Sequence, residues 1–490
     1  MLRLLAILLL SSGSTIPVWP QNPGEVTAEN THKLTGNEAF NQVNAVVYAD
    51  QQSGSTADAQ IRAALAKLPT YGGIIDARGY GATTQTWAAN VTLGAASGTS
   101  PKVQLLVDSS TVFNVTVTGG VDALDICGGS MLEGWGNGQG SQGGFVLAAT
   151  ANVSALVSNC NRTGNQEFFA LSNVMLTGNP SATVSQAMLD LDDVAVNSYV
   201  RDVVIFQFPS IGLQIRGTVG SNGSGSGVIH IDNVWSNGFN VAGAIPLSIQ
   251  GLPAAAISDL HFMGGAYENP GSGKSAIQIN GNGTQGGVRN VLFQDVHVEG
   301  AGTSGTAQVM IRDVQSVTFQ NGFISARSSS GVTGVSISQS ASGNTYGIKL
   351  DNVFIYNSST GAPLATAISN SISGYSSTKV YIPHYRFGDN STVGYDDQYP
   401  IQVTLGGHLN QVATGTFAGS CSMSSTTTCT FSIASSFAKT PLATCSIDAA
   451  SKVPGTAISC KVSVSGTTVT ITAGASNSLT WDAVLIGNPN

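Results

Sequence analysis

From residue 171 onward, the apolar residues fall into a short recurring phrase: an Asn or Asp, an apolar residue, any residue, and usually another apolar residue. It appears at Asn173-Val174-Met175-Leu176, at Asp202-Val203-Val204-Ile205 and, with a polar last position, at Asn233-Val234-Trp235-Ser236. It returns at Asp259-Leu260-His261-Phe262, Asn290-Val291-Leu292-Phe293 and Asn352-Val353-Phe354-Ile355. The first five members lie 29, 31, 26 and 31 residues apart. A second phrase, apolar-x-apolar, interleaves with the first: Leu189/Leu191, Leu213/Ile215, Leu247/Ile249, Ile277/Ile279, Val309/Ile311 and Val335/Ile337. Both have period 2, which predicts strands, and neither carries a helical stripe.

Short strands that return about every thirty residues, separated by Gly, Ser and Asn, predict a solenoid. A single coil cannot bury its own apolar face, so successive coils must stack into one continuous core. Asn or Asp before each strand suits a bend, where its side chain can bond nearby backbone groups. An antiparallel sandwich is the competing arrangement, but it calls for hairpin loops at shorter spacing. The open end of a solenoid needs a cover. Thr56 to Leu68 supplies one, with Ile61, Leu65 and Leu68 on one helical face and Pro69 after it. Gly72-Gly73-Ile74-Ile75-Asp76 then reads as the first strand. A helical cap followed by stacked short strands resembles the pectate-lyase-like superfamily of right-handed parallel β-helices. That group includes pectate and pectin lyases, polygalacturonases, rhamnogalacturonases and phage tailspikes. The resemblance covers residues 46–395 and implies an all-β fold and a polysaccharide partner.

The two ends read differently. Arg3, the apolar run Leu4 to Leu10, and Ser12 and Ser14 have the order of an export signal over residues 1–14, followed by an extension over 15–45. A buried N-terminal strand is the alternative. The apolar run is too short to span a bilayer, and no other segment is read as transmembrane, so a secreted or surface protein is expected. Residues 396–490 are rich in Thr and Ser, with alternating stretches such as Thr468-Val469-Thr470-Ile471-Thr472, and read as a small β-sandwich. Four cysteines fall there, spaced for Cys421–Cys429 and Cys445–Cys460, although spacing does not fix connectivity. Cys127 and Cys160 end two similar phrases, VDALDIC and VSALVSNC, and could pair if those phrases stack. Zinc is the rival use of these thiols, but no C-x-x-C spacing supports it.

Composition narrows the partners. Charged residues make up 9% of the chain and the net charge is −8, so the clustered Lys and Arg that nucleic acid requires are missing. With 42% apolar residues the chain is not disordered either.

The outward positions of stacked strands form ladders with rungs about 4.8 Å apart. Laying Leu260–Glu268 over Val291–Glu299 puts Glu268 one rung from Glu299. Two carboxylates that close repel, so one is expected to hold a proton, the asymmetry that glycoside hydrolysis uses. His297 shares the outward face with Glu299 and could shuttle a proton or hold a hydroxyl. Glu268, Glu299 and His297 are therefore the catalytic candidates. Asp295, Trp235, His261, Tyr267 and Arg327 are the candidate substrate-binding residues, with Trp235 and His261 at the outward middle position of one ladder, Tyr267 beside Glu268, and Arg327 the arginine that shares the acidic face. Among them Asp295 also suits a bend, and Trp235 also suits packing beneath a loop. Asp190, Asp192 and Asp193 form a weaker acidic group, Asp190 and Asp192 placed outward by Leu189 and Leu191, with no second acid on later rungs.

The polygalacturonase-type signatures are not present in order. Within the solenoid, Asp192-Asp193 is the lone paired Asp, and Gly406-Gly407-His408 lies beyond it. The leading reading is glycoside hydrolysis by the paired glutamates. The alternatives are a polysaccharide lyase and a non-catalytic surface or adhesion protein. No metal or cofactor is expected, unless the chemistry is that of a lyase, for which Ca2+ enters.

Overall fold

The computed structural model describes residues 45–389, apart from 96–100, 128, 136–143, 161–167, 195–196, 218–226, 252–255, 283–286, 301–305, 328–331, 341–342, 344, 358–365 and 371–379. It also describes the strands that lie between 415 and 487. The expected export signal, and the extension up to residue 44, lie outside the described residues.

The chain winds as a parallel β-helix. Each full coil contributes a longer strand and a short one to a 21-stranded hydrogen-bonded wall, then one strand to a ten-stranded wall. The apolar-x-apolar phrase forms the second wall. Leu189, Leu213, Leu247, Ile277, Val309 and Val335 stack directly on one another, as their partners two residues on do. Inside the longer strands, Phe262, Phe293 and Phe319 stack nearly parallel, with ring centroids 4.5 and 4.4 Å apart. Burying each such ring stabilises the fold by about 1.5–3 kcal/mol, a gain a single coil could not make alone.

The short strands carry the candidate site. They are β1 (Val204–Phe206), β2 (Trp235–Asn237), β3 (Ala266–Glu268), β4 (His297–Gly300), β5 (Phe323–Ala326) and the second half of β6 (Tyr346–Asn357). They pair in parallel, each on the next. Between longer and short strand the backbone turns through left-handed φ, at Asp202, Asn233, Gly264, Asp295, Asn321 and Asn352. Asn, Asp and Gly tolerate that conformation at least cost, which explains the residue choice. Neighbouring corners also bond: Asn233 Nδ2 donates to Asp202 Oδ1 at 2.7 Å, and Asn352 Nδ2 to Asn321 Oδ1 at 3.0 Å.

These corners also correct the phase of the repeat. Gly264 takes the corner where its neighbours use Asn or Asp, so the Asn phrase skips that coil. Asp259, which filled the gap in the sequence pattern, belongs to the preceding strand, where Asp259 and Asn290 form a separate left-handed column. Trp235 therefore stacks on Ala266 rather than on His261, and the 26-residue step at that point is not a coil.

The helix forms over Ala57–Leu65, with Ile61 and Ala64 buried and Leu65 and Leu68 packed on the core. In the C-terminal region, two three-stranded antiparallel sheets enclose a small core of Ile471, Ala473, Trp481 and Ala483. Cys421–Cys429 and Cys445–Cys460 each tie one sheet to the other, and Cys127–Cys160 joins neighbouring coils of the helix.

Candidate active site

Alternation along the short strands splits each into an inward and an outward set. Ile205, Ser236, Tyr267, Val298, Ile324 and Ile355 face inward and stack. Two outward columns flank them. One runs Val204, Trp235, Ala266, His297, Phe323, Phe354; the other runs Phe206, Asn237, Glu268, Glu299, Ser325, Tyr356. Glu268 and Glu299 are direct neighbours, as the 31-residue step predicts.

The carboxylates are tethered unlike one another. Glu268 Oε2 accepts from Trp235 Nε1 at 2.9 Å and from Asn237 Nδ2 at 3.1 Å, while its Oε1 lies 3.5 Å from His297 Nδ1. Glu299 Oε2 lies 3.0 Å from His297 Nε2, and its Oε1 accepts from Arg327 Nε at 2.9 Å. The imidazole thus bridges the pair, one ring nitrogen to each acid. Burial pulls His297 below its ordinary pKa, and the two carboxylates offset this only in part. Asn237 is itself fixed, its Oδ1 accepting from Asn269 Nδ2 and the Phe239 backbone.

Arg327 reaches the cluster from the face expected of it, and Trp235 reaches it through its indole N–H. Three other expectations need correction. Tyr267 is 1% exposed and sits in the core, where burial pushes its phenol up, so it offers no face to a sugar. His261 lies on the longer strand, edge-on to His230 at 5.2 Å and beside Leu292, in a different column from Trp235. Asp295 is a corner residue with φ 55°, and among the described residues no hydrogen bond ties its side chain to the cluster. The left-handed corner accounts for the acid there. Asn237 was missed, although one further 31-residue step back from Glu268 lands on it; the misplaced phase at Asp259 hid that step.

Asp190 and Asp192 do point away from the core, yet they are 1% and 3% exposed. Arg216 binds both, Nη2 to Asp190 Oδ2 and Nε to Asp192 Oδ1, each at 2.7 Å. A bound guanidinium makes this pair a brace rather than a reactive group.

One oxygen each from Glu268 and Glu299 and a ring nitrogen of His297 lie within 4.8 Å of one another, so the three could also ligate a cation. A nitrogen in the set suits a transition metal better than the all-oxygen shell of Ca2+.

No protein-family profile matches the chain, and no curated protein matches it. Among solved structures it is similar to ORF18 of Geobacillus virus E2, at 12% identity over 71% of this chain and 60% of that one, with a TM-score of 0.41. It is also similar to the enzymatically active domain of bacteriophage CBA120 tailspike protein 2, at 11% identity over 84% and 61%, TM-score 0.31. A third is tailspike gp49 of Acinetobacter baumannii bacteriophage Fri1, a capsular polysaccharide depolymerase, at 10% identity over 90% and 86%, TM-score 0.24. The chain spans about 60% of the length of the first two. The fold and the site define the class: a parallel β-helix whose outward face carries a carboxylate–imidazole–carboxylate bridge.

Proposed function

We propose that this chain cleaves a polysaccharide at the Glu268–Glu299 face, by hydrolysis. The observation that carries the reading is the pair of carboxylates on adjacent outward rungs, with oxygens within 4.8 Å and different partners. Neighbouring rungs stand about 4.8 Å apart, nearer the roughly 5–5.5 Å of double-displacement glycosidases than the 6.5–9.5 Å of single-displacement ones.

The different partners suggest the roles. Glu299, ion-paired to Arg327, serves as the carboxylate. Glu268, whose Oε2 is held by two neutral N–H donors, is assigned the part of the acid through Oε1. Its proton passes to the bridging oxygen as the bond from the anomeric carbon to that oxygen breaks, and Glu299 bonds to the carbon. Water then attacks the glycosyl ester, Glu268 takes the proton of that water, and Glu299 leaves as carboxylate. His297 holds the two acids in register. Three disulfides among the described residues support work in an oxidising compartment, outside the cytoplasm. No helix among the described residues is long and apolar enough to cross a membrane.

The test is a panel of polysaccharides with reducing ends and ultraviolet absorbance both followed. New reducing ends without an unsaturated product support hydrolysis. An absorbing unsaturated uronide would make the chain a lyase, and binding without turnover would make it an adhesin.

A further inference from the structure

We propose that Glu268, His297 and Glu299 form a binding site for a divalent transition-metal ion of the zinc class, and that the bound ion shuts off cleavage. The shut-off rests on the reading of the two glutamates as the cleaving pair; the binding does not.

Three observations carry the site. The first is the donor set. One oxygen of each glutamate and one ring nitrogen of His297 lie within 4.8 Å of one another, the one such group of three among the described residues. Ligand atoms about 2.0–2.2 Å from a tetrahedral zinc stand about 3.3–3.6 Å from one another, so shifts of about an ångström in two flexible glutamates close the site. Imidazole nitrogen with carboxylate oxygen favours such an ion over Ca2+ or Mg2+, whose shells are built from oxygen.

The second observation is the support around the ligands. Each acid has its outer oxygen already fixed by donors: Trp235 Nε1 and Asn237 Nδ2 hold Glu268 Oε2, and Arg327 Nε holds Glu299 Oε1. Among the described residues, Glu268 Oε1 and Glu299 Oε2 are partnered by the imidazole alone. The Phe323 ring lies with its centroid 3.7 Å from that of the imidazole and limits its tilt. Ligands oriented in this way by a surrounding layer are the general pattern of metal sites.

The third observation is access. The side chains of Glu268, Glu299 and His297 are 16%, 21% and 25% exposed, so an ion can reach them from solvent. Neither rival cluster offers both donors and access. Asp190 and Asp192 are covered and held by Arg216. His230 and His261 bring two imidazoles together at 5.2 Å, without an acid close enough to complete a set.

The shut-off follows from which atoms the ion takes. On Glu268 it occupies Oε1, the oxygen assigned to protonate the leaving group, and the proton there departs to solvent as the ion binds. On Glu299 it holds the carboxylate that would bond to the anomeric carbon. The loaded site neither donates a proton nor attacks, so bound ion and cleavage exclude each other.

The test is calorimetric titration of the untagged full chain, stripped with a chelator, with Zn2+ and separately with Ca2+. A single saturable Zn2+ site is expected, and no Ca2+ binding at the same concentrations. His297→Ala should abolish the site. Trp235→Phe keeps a ring but drops the N–H on Glu268, and should weaken binding roughly 10–100-fold. His230→Ala should leave it unchanged, with circular dichroism confirming that each variant folds. On a polysaccharide that the panel shows to be cut, Zn2+ should stop reducing-end release as the site fills, and chelator should restore it. No Zn2+ binding, Ca2+ binding of equal strength, or a site that survives in His297→Ala overturns the proposal. Cleavage that continues with the site filled, or that needs the ion, overturns the shut-off. Zn2+ bound through His297 by a chain that cuts nothing would sink the cleavage reading and leave the site standing. Cleavage by a chain that binds no Zn2+ would do the reverse.

Discussion

The coil carries two kinds of acidic cluster on its outward ladders, and their difference lies in what closes over them. On the ten-stranded wall, Asp190 and Asp192 are buried and held by Arg216, and Asp122 and Asp125 share Ser158 Oγ at 2.9 and 2.8 Å. On the short strands, Glu268 and Glu299 are half-buried, bridged by an imidazole and flanked by rings. Stacking makes acid pairs wherever acids recur at the coil period. Closure turns a pair into internal bracing, and an open side leaves it able to meet a substrate.

That contrast can be broken at its buried side first. Arg216→Met takes the guanidinium away from two covered carboxylates and should destabilise the coil by about 3–5 kcal/mol, read from the denaturant midpoint. A loss below about 1 kcal/mol would mean that the cluster braces nothing. Glu268→Gln, by contrast, should move the midpoint by less than about 1 kcal/mol while it removes cleavage. A large loss of stability there would place both clusters in the same class.

Asp125 gives a sharper and smaller effect. Burial, then Asp122, pushes its carboxyl up to about 6 from an ordinary 3.8. The fold thus favours the protonated form, and its stabilisation is present below the unfolded value and lost as pH rises through about 6. Asp125→Asn removes that loss. Relative to wild type it should gain about 1–3 kcal/mol between pH 4 and pH 8, and a flat difference across that range would contradict the assignment.

The smallest effect has the opposite sign. His297 is held below its ordinary value by burial, so the stability it contributes is present above the unfolded pKa near 6.5 and lost as pH falls. His297→Asn should flatten the acid side of the stability profile. A profile unchanged on the acid side would leave the imidazole without this role.

The winding was legible because both apolar phrases repeat at the coil length, and Leu189/Leu191 through Val335/Ile337 stack as the pattern required. The Glu268–Glu299 contact was legible for the same reason. The coils that hold Gly264 and Asp295 were not: glycine at a left-handed corner does not mark the phrase, and Asp259 and Asn290 on the longer strands match it as well as a corner residue does. With those coils misphased, His261 was assigned to Trp235's column and Asn237 went unseen. Tyr267 failed differently: adjacency to Glu268 in sequence means the opposite face in a strand. Closure over Asp190 and Asp192 left only Arg216 as a trace, on the next rung of Asp192's own ladder.

The central claim is that the two glutamates act as one catalytic unit. The direct measurement is the rate of reducing-end release, from a polysaccharide that the panel shows to be cut, by wild type, Glu268→Gln, Glu299→Gln and the double variant. The account predicts that each single variant loses about a thousandfold or more, and that the double variant loses little beyond either. Turnover retained in a single variant, or small losses that multiply in the double, would contradict it.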